Sequence, residues 1–194
     1  GITNLAYYLA KNGVMYEDPE ACNVVDEVME HIQYYMIKAS VQLAKEKGKC
    51  EWFDRTKYSK GILPIDTYCK SVDKIVTRKL KLNWDKLRKE VKEHGMRNST
   101  LTALMPCESS SLVTNSTNGI EPPRGLLSVK KSKQGLIPQV VPDIYNLRNK
   151  YTLAYDMSSN RGYTNIVAVI QKFVDQAISA NHYYNFAKYE TGNL

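Results

Sequence analysis

Cysteine is scarce and scattered in this sequence: Cys22, Cys50, Cys69 and Cys107 include no C-x-x-C pair. That spacing suggests neither a zinc site nor a dense disulfide framework, and it fits a reducing cytoplasm. Histidine is rarer still. His31, His94 and His182 have no neighbours at the spacing of a metal site or a catalytic triad, so each reads as a surface or helix-end residue. No apolar run approaches the roughly 18 residues that a membrane span requires. The N-terminus lacks the basic stretch, apolar core and cleavage site of a secretory signal. Internal repeats and low-complexity linkers are missing too, so 1–194 is expected to be a single segment with no internal boundary.

What remains is ordinary globular composition: 194 residues, 43% hydrophobic and 24% charged, enough for one core or a large piece of a bigger one. The chain starts at Gly1, without Met and directly inside a helical pattern, which reads as a trimmed or excised segment. Lys and Arg total 27 against 20 Asp and Glu, a formal net charge of +7 that favours a polyanion or an anionic substrate. The lysines ride on helix faces (Lys86, Lys89, Lys92) or in a hairpin-like stretch (Lys130, Lys131, Lys133), without a recognition motif or aromatic interleaving. A solvated basic surface is the plainer reading. A non-catalytic module binding nucleic acid or another polyanion is the alternative.

Periodicity predicts a helix-rich α/β chain. Residues Ile2 to Lys11 read as a helix closed by Gly13, with Leu5, Tyr8 and Leu9 on one face. Asp18 before Pro19 starts a long amphipathic helix that runs to Gly48. Its core stripe is Val25, Val28, Met29, Ile32, Tyr35, Met36, Ala39 and Leu43. FDRTKYSKGILPIDTYCKS is turn-rich, and Pro64 prevents a regular helix through it. Asn83 caps a helix carrying Trp84, Leu87 and Val91 and closed by Gly95. STLTALM predicts a short strand at about Thr100 to Met105, and GLLSVKKSKQGLIPQVV a β-hairpin. Asp143 is expected to cap a helix with Ile144, Leu147, Tyr151 and Leu153, and a last helix is expected from Tyr163 to Ala180 through Ile166, Val169, Ile170, Phe173, Val174 and Ala177.

The stretch LMPCESSSLVTNSTNGIEPPRG, Leu104 to Gly125, carries the chemistry. A strand end here feeds a helix starting near Pro106, whose first amides and positive dipole end suit an anion. Ser109, Ser110 and Ser111 add hydroxyl donors. The charge of Glu108 opposes an anion, so it reads as a partner of the dipole or of a sugar hydroxyl. A merely well-capped helix accounts for the same residues. From Asn118 to Gly125, Gly119 offers positive φ and Pro122 and Pro123 stiffen the chain, which suits a pocket-lining loop or a structural turn. The pairs Tyr7–Tyr8, Tyr34–Tyr35 and Tyr183–Tyr184 read as packing aromatics rather than radical relays. Cys107 at a helix start has thiolate character as an alternative, with no base beside it in sequence.

Longer motifs point to one family. WDKLRKEVKEHGMRNSTLTALMP, with Trp84, Leu87, Gly95 and Asn98, resembles the large-subunit signature of ribonucleotide reductase. NLAYYLAKNG, KGILPIDTY, ESSSLVTNSTNGIEPPRG and QVVPDIYNL look like successive segments of the same catalytic α subunit, of the aerobic class I type of bacteria and their phages. The resemblance implies a C-terminal portion of a ten-stranded α/β barrel domain, in an enzyme of deoxyribonucleotide biosynthesis that reduces ribonucleoside diphosphates by thiyl-radical chemistry. It implies that Pro106, Cys107, Glu108, Ser109 and Ser110 bind the substrate diphosphate through backbone amides and hydroxyls. Relatives often carry Ser and Thr where Cys107 and Ser109 stand. Backbone donation survives both changes, while a thiol donates more weakly.

The resemblance also implies that no catalytic residue lies in this segment. The thiyl cysteine with its Asn and Glu partners and one redox cysteine are expected before Gly1, and the tyrosine relay and C-terminal redox cysteines after Leu194. The isolated segment is expected to be inactive and to bind no effector, metal or cofactor. The implied partners are a ribonucleoside diphosphate, the remainder of the large subunit, a small (β) subunit supplying a metal-cofactor radical, and thioredoxin or glutaredoxin as dithiol reductant. No membrane partner is implied.

Overall fold

The computed structural model describes residues 1–132 and 135–185, which group into two compact units. The first comprises 1–22, 104–167 and the described residues from 178; the second comprises 23–103 and 168–177. Both changes of unit between 22 and 23 and between 167 and 168 fall inside helices. Linker composition therefore has no place to appear there.

In the first unit, α1 (Leu5–Lys11) is hung from a loop: the Asn4 amide donates to Thr117 O at 3.0 Å and the Leu5 amide to Gly119 O at 3.3 Å. Its buried face is Leu5, Ala6, Leu9 and Ala10. Tyr8, expected on that face, is exposed, because the small alanines let the helix sit close on the side that the loop fixes. Helix α4 (Glu108–Val113) follows, then the hairpin β1 (Leu127–Ser132) and β2 (Gly135–Val140), antiparallel with Val129 opposite Pro138. The hairpin is as expected from the sequence; Lys133, named within its turn, lies outside the described residues. A two-stranded ribbon tolerates Pro138, which has no donor, because neither edge pairs with a further strand among the described residues.

The helix expected after Asp143 shrinks to α5 (Ile144–Leu147). Asp143 sits at φ 51 and uses its carboxylate on the Asn146 side chain, at 2.7 Å, rather than on a helix amide. Tyr151 instead donates to Pro142 O at 2.7 Å, so it packs from the irregular chain beyond α5 and not from a helix.

Helix α6 (Arg161–Gln171) begins in this unit over Tyr163, whose ring meets the ring of Tyr16 edge-on at 6.0 Å. Tyr16 is fully buried and donates to Ile120 O at 2.8 Å. The approach depends on Gly162: a Cβ there would stand 2.5 Å from Tyr16 O and 2.8 Å from the Cα of Glu17. Both neighbours are backbone and cannot rotate aside. Gly162→Ala should therefore destabilise the chain by about 2 kcal/mol, read as a lower urea midpoint with unchanged m. A midpoint within error of the parent would show that α6 can shift freely.

The second unit is built on α2 (Pro19–Lys47), closed at Gly48 with φ 81 as expected. Its buried face differs from the expected stripe. Val25 and Met29 are buried, but Tyr35 and Leu43 are exposed, and the inward positions include Asp26, Glu30, Gln33, Ile37, Ser40, Val41 and Ala44. A hydrophobicity stripe misses this because four of those inward residues are polar, each paired inside the unit. Arg78 bridges the Asp26 and Glu30 carboxylates, and Lys172 Nζ reaches Asp26 at 2.8 Å. Glu30 Oε1 accepts from Lys81 N and Leu82 N, both at 2.9 Å, and from the Trp84 indole at 3.1 Å.

Four short 3-10 turns, at Phe53–Arg55, Tyr58–Lys60, Pro64–Asp66 and Lys70–Lys74, cover the irregular stretch. Helix α3 (Trp84–His94) matches its expected bounds: Asn83 Oδ1 accepts from Lys86 N at 2.9 Å, Gly95 takes φ 74, and Trp84, Leu87 and Val91 are buried.

Two expected elements give way to one carboxylate. Asp175 accepts from Leu101 N at 2.8 Å and from Thr102 N at 3.0 Å, and it also takes the Tyr58 hydroxyl. Amides held by a side chain cannot serve a strand ladder. The strand expected at Thr100 to Met105 is reduced to a single parallel bridge, Leu104 to Ile178, in the first unit. The last helix likewise stops at Gln171, not Ala180. Its end tightens through Lys172 N to Val169 O and Phe173 N to Ile170 O, and the chain beyond is held extended by Gln176 N to Thr102 O at 3.1 Å.

Among the described residues the protein is thus helix-rich with one two-stranded antiparallel sheet, and none of their helices is long and apolar enough to cross a membrane.

Candidate functional site

The site lies wholly in the first unit, where the loop from Met105 enters α4. Cys107 is the N-cap and Glu108 the first helical residue, so Pro106 stands just before the cap rather than at the helix start. Pro106 and Cys107 are half-buried; Glu108, Ser109 and Ser110 are exposed. The first intrahelical bond is Ser111 N to Cys107 O at 2.9 Å. The amides of Glu108, Ser109 and Ser110 precede it and take no partner among the described residues. Ser110 Oγ donates back to Cys107 O at 3.3 Å, and Ser111, expected to add a donor outward, is buried and donates to Glu108 O at 3.0 Å. Ser109 is left as the outward hydroxyl. With only six residues, α4 offers these local amides more than a long macrodipole.

The Cys107 amide is already used. It donates at 2.7 Å to Asn118 Oδ1, whose Nδ2 in turn donates to Glu121 Oε2 at 3.1 Å. Glu121 is 3% exposed and also accepts from Asn181 N at 3.0 Å, Asn181 Nδ2 at 2.9 Å and the Tyr183 hydroxyl at 3.0 Å. Burial, followed by the opposing pull of Arg124 and the push of the Glu121 charge, leaves the Tyr183 phenol above its ordinary value. A phenol so raised stays protonated and keeps donating at neutral pH. Gly119, at φ 51, turns the chain between Asn118 and Glu121 as its sequence position suggested.

Above this floor is a cavity of about 130 Å³. Glu108, Arg124, Lys130, Gln139 and Tyr183 contribute to its lining, together with Pro122 and Pro123 of the stiff loop. Glu108 does not point freely at a ligand. Its Oε1 receives Arg124 at 3.3 Å and its Oε2 receives Lys130 at 3.3 Å. Gln139 donates at 2.7 Å to Ser116 O and so ties the hairpin to the loop below it.

The sequence pointed to Pro106 through Ser110 and to the loop from Asn118 to Gly125, and the fold brings both to one place. It gave no sign that Lys130, Gln139 and Tyr183 join them. Lys130 had the look of a solvated hairpin lysine and Tyr183 that of a helix-packing aromatic. Tyr183 lies outside every helix among the described residues. Among the described residues no group of three or more His, Cys, Asp or Glu side chains is placed to hold a metal, and none of the four cysteines is in a disulfide.

Comparison with known proteins gives a consistent picture. Residues 1–193 match the family described as the ribonucleotide reductase barrel domain. The chain is 55% identical, over its whole length, to the ribonucleoside-diphosphate reductase subunit alpha of Haemophilus influenzae. It is 52% identical over its whole length to the ribonucleoside-diphosphate reductase 1 subunit alpha of Escherichia coli, and 49% identical over 95% of its length to the subunit alpha of Enterobacteria phage T4. It spans 26% of the first two relatives and 24% of the third.

Proposed function

We propose, from the premise that this chain belongs to the ribonucleotide reductase barrel-domain family, that it works as part of a class I ribonucleoside-diphosphate reductase α subunit and supplies the cradle for the substrate diphosphate. In this reading, residues 1–194 form one segment of a ten-stranded α/β barrel. The reaction is the reduction of a ribonucleoside diphosphate to the deoxyribonucleoside diphosphate, and it takes place in the cytoplasm. Pro106, Cys107, Glu108, Ser109 and Ser110 form the cradle. The radical comes from a small subunit and the electrons from a thioredoxin or glutaredoxin dithiol. No catalytic residue is assigned within the segment; its contribution is to hold the substrate in place.

One observation carries the assignment: the successive amides of Glu108, Ser109 and Ser110 are unpaired among the described residues, beside the outward Ser109 hydroxyl and next to a cavity with two cations in its lining. Such amides form charge-assisted hydrogen bonds to phosphoryl oxygens without any side-chain rearrangement.

The test removes the hydroxyls in the complete large subunit carrying this segment. Ser109→Ala with Ser110→Ala should raise KM for CDP roughly tenfold with kcat changed little, since hydrogen bonds to charged groups contribute about 1.5–3 kcal/mol and ground and transition states share these contacts. An unchanged KM overturns the part given to the two hydroxyls, and an unchanged KM for Ser109→Pro, which deletes one of the unpaired amides in the first helical turn, overturns the cradle. Binding that ignores these serines but weakens steeply with salt would instead favour a polyanion module.

A further inference from the structure

The cradle has a charge problem. Its five residues include one carboxylate, Glu108, and no cation, whereas its proposed ligand is a polyanion. We propose that Arg124 and Lys130 are the positioning residues that solve it, by cancelling the Glu108 charge so that the neighbouring amides can receive phosphate. The inference rests on the diphosphate reading above and adds to it a role for two residues outside the cradle.

The geometry supports a shared clamp. Arg124 and Lys130 take separate oxygens of Glu108, each at 3.3 Å, and all three side chains line the same cavity. They arrive from different elements: Arg124 from the loop after Pro123, Lys130 from β1, Glu108 from the first turn of α4. Arg124 is further held with its guanidinium 5.5 Å from the Tyr183 ring centroid. The triad carries a net charge of +1. Glu121, the remaining carboxylate in the lining, brings the four to zero, and it is already saturated by Asn118, Asn181 and Tyr183. Removing either cation therefore leaves a net negative cavity beside the cradle, and an incoming diphosphate meets repulsion that nearby donors cannot offset.

The charges are only partly exposed, with side-chain accessibility of 56% for Arg124, 33% for Lys130 and 46% for Glu108, so salt should weaken the effect without abolishing it.

The experiment uses the complete large subunit carrying this segment, with CDP and inorganic pyrophosphate as probes in equilibrium binding. Arg124→Gln and Lys130→Gln should each weaken binding of both probes about tenfold. Glu108→Gln alone should tighten it. Glu108→Gln added to either single variant, Arg124→Gln or Lys130→Gln, restores the parent's net charge of zero and should return the affinity to within about threefold of the parent. Rescue by removing the opposing charge is a result that a purely structural role for the two cations does not give. Thermal midpoints of every variant identify any that fail to fold, and Arg124→Lys, which keeps the charge, serves as the conservative control.

If the charge variants leave affinity unchanged while Ser109→Ala with Ser110→Ala still weakens binding, the countercharge role is overturned and the cradle stands. If neither set changes binding, and Ser109→Pro does not either, both fall. Loss of binding that Glu108→Gln does not rescue also overturns the countercharge role.

Discussion

Asp26→Ala should lower the folding stability of the chain by about 3–5 kcal/mol, the cost of removing one partner from a buried ion pair. Asp26 is 0% exposed and is the sole carboxylate that Lys172 meets in the described ion pairs; the Lys172 side chain is itself 5% accessible. Arg78 would keep Glu30, but the Lys172 ammonium would be stranded in apolar surroundings beside Phe173. Urea denaturation reads the loss directly. A second change separates the stranded charge from a simple cavity: Lys172→Met in the same chain should recover a large part of the loss, because it removes the charge that lost its partner. A loss under about 1 kcal/mol for Asp26→Ala would mean that water reaches Lys172.

The same network sets the acid limb. Burial alone would raise the Glu30 carboxyl, but the Leu82 amide, the Arg78 guanidinium and the Trp84 indole outweigh burial and hold it below its ordinary value of 4.5. A depressed carboxylate binds protons less readily when folded than when unfolded. Its contribution to stability is therefore fully present above about pH 4.5 and is lost as pH falls through its lower folded value. Trp84 fluorescence across pH 5 to pH 2 should follow this loss, and Glu30→Gln should flatten it.

The second large effect is expected at Glu121. Glu121→Ala removes the common acceptor of Asn118 Nδ2, Asn181 N, Asn181 Nδ2 and the Tyr183 hydroxyl, all within 3.1 Å. Leaving donors of the half-buried Asn118 and Tyr183 and of the exposed Asn181 without their acceptor, with a void where the buried carboxylate stood, should cost about 2–3 kcal/mol. The change should also be felt at the cradle. Asn118 holds the Cys107 amide at 2.7 Å, and an Asn118 without its anchor no longer fixes the loop before α4. In the complete large subunit, KM for CDP should rise along with the loss of stability. A destabilised variant with an unchanged KM would show that the Cys107 cap stands without Glu121.

Helices whose ends carry strong local chemistry were legible in the sequence. Asn83 and Gly95 bound α3 through contacts within a few residues, and Gly48 ends α2 for the same reason. The hairpin was legible because its alternating runs and turn are neighbours along the chain. The elements that failed share a different trait. The strand at Thr100 to Met105, the length of α6 and the inward face of α2 were decided by Asp175, Asp26 and Glu30, polar groups whose partners lie far away in sequence. Hydrophobic periodicity takes a buried carboxylate for an exposed one, because periodicity registers polarity and not pairing.

The site divides along the same line. Local composition marked a helix start near Pro106 with its serine run and the Gly119 turn, since a cap, a serine run and a positive-φ glycine are properties of adjacent residues, while the choice of Pro106 to Ser110 as a cradle came from the family resemblance. The family could also be read there, from motif spacing. Only the folded chain brought Lys130, Tyr183 and Gln139 to the cavity and gave Glu108 its two cations, because Coulomb and hydrogen-bond contacts depend on distance in space, and the sequence records only order along the chain.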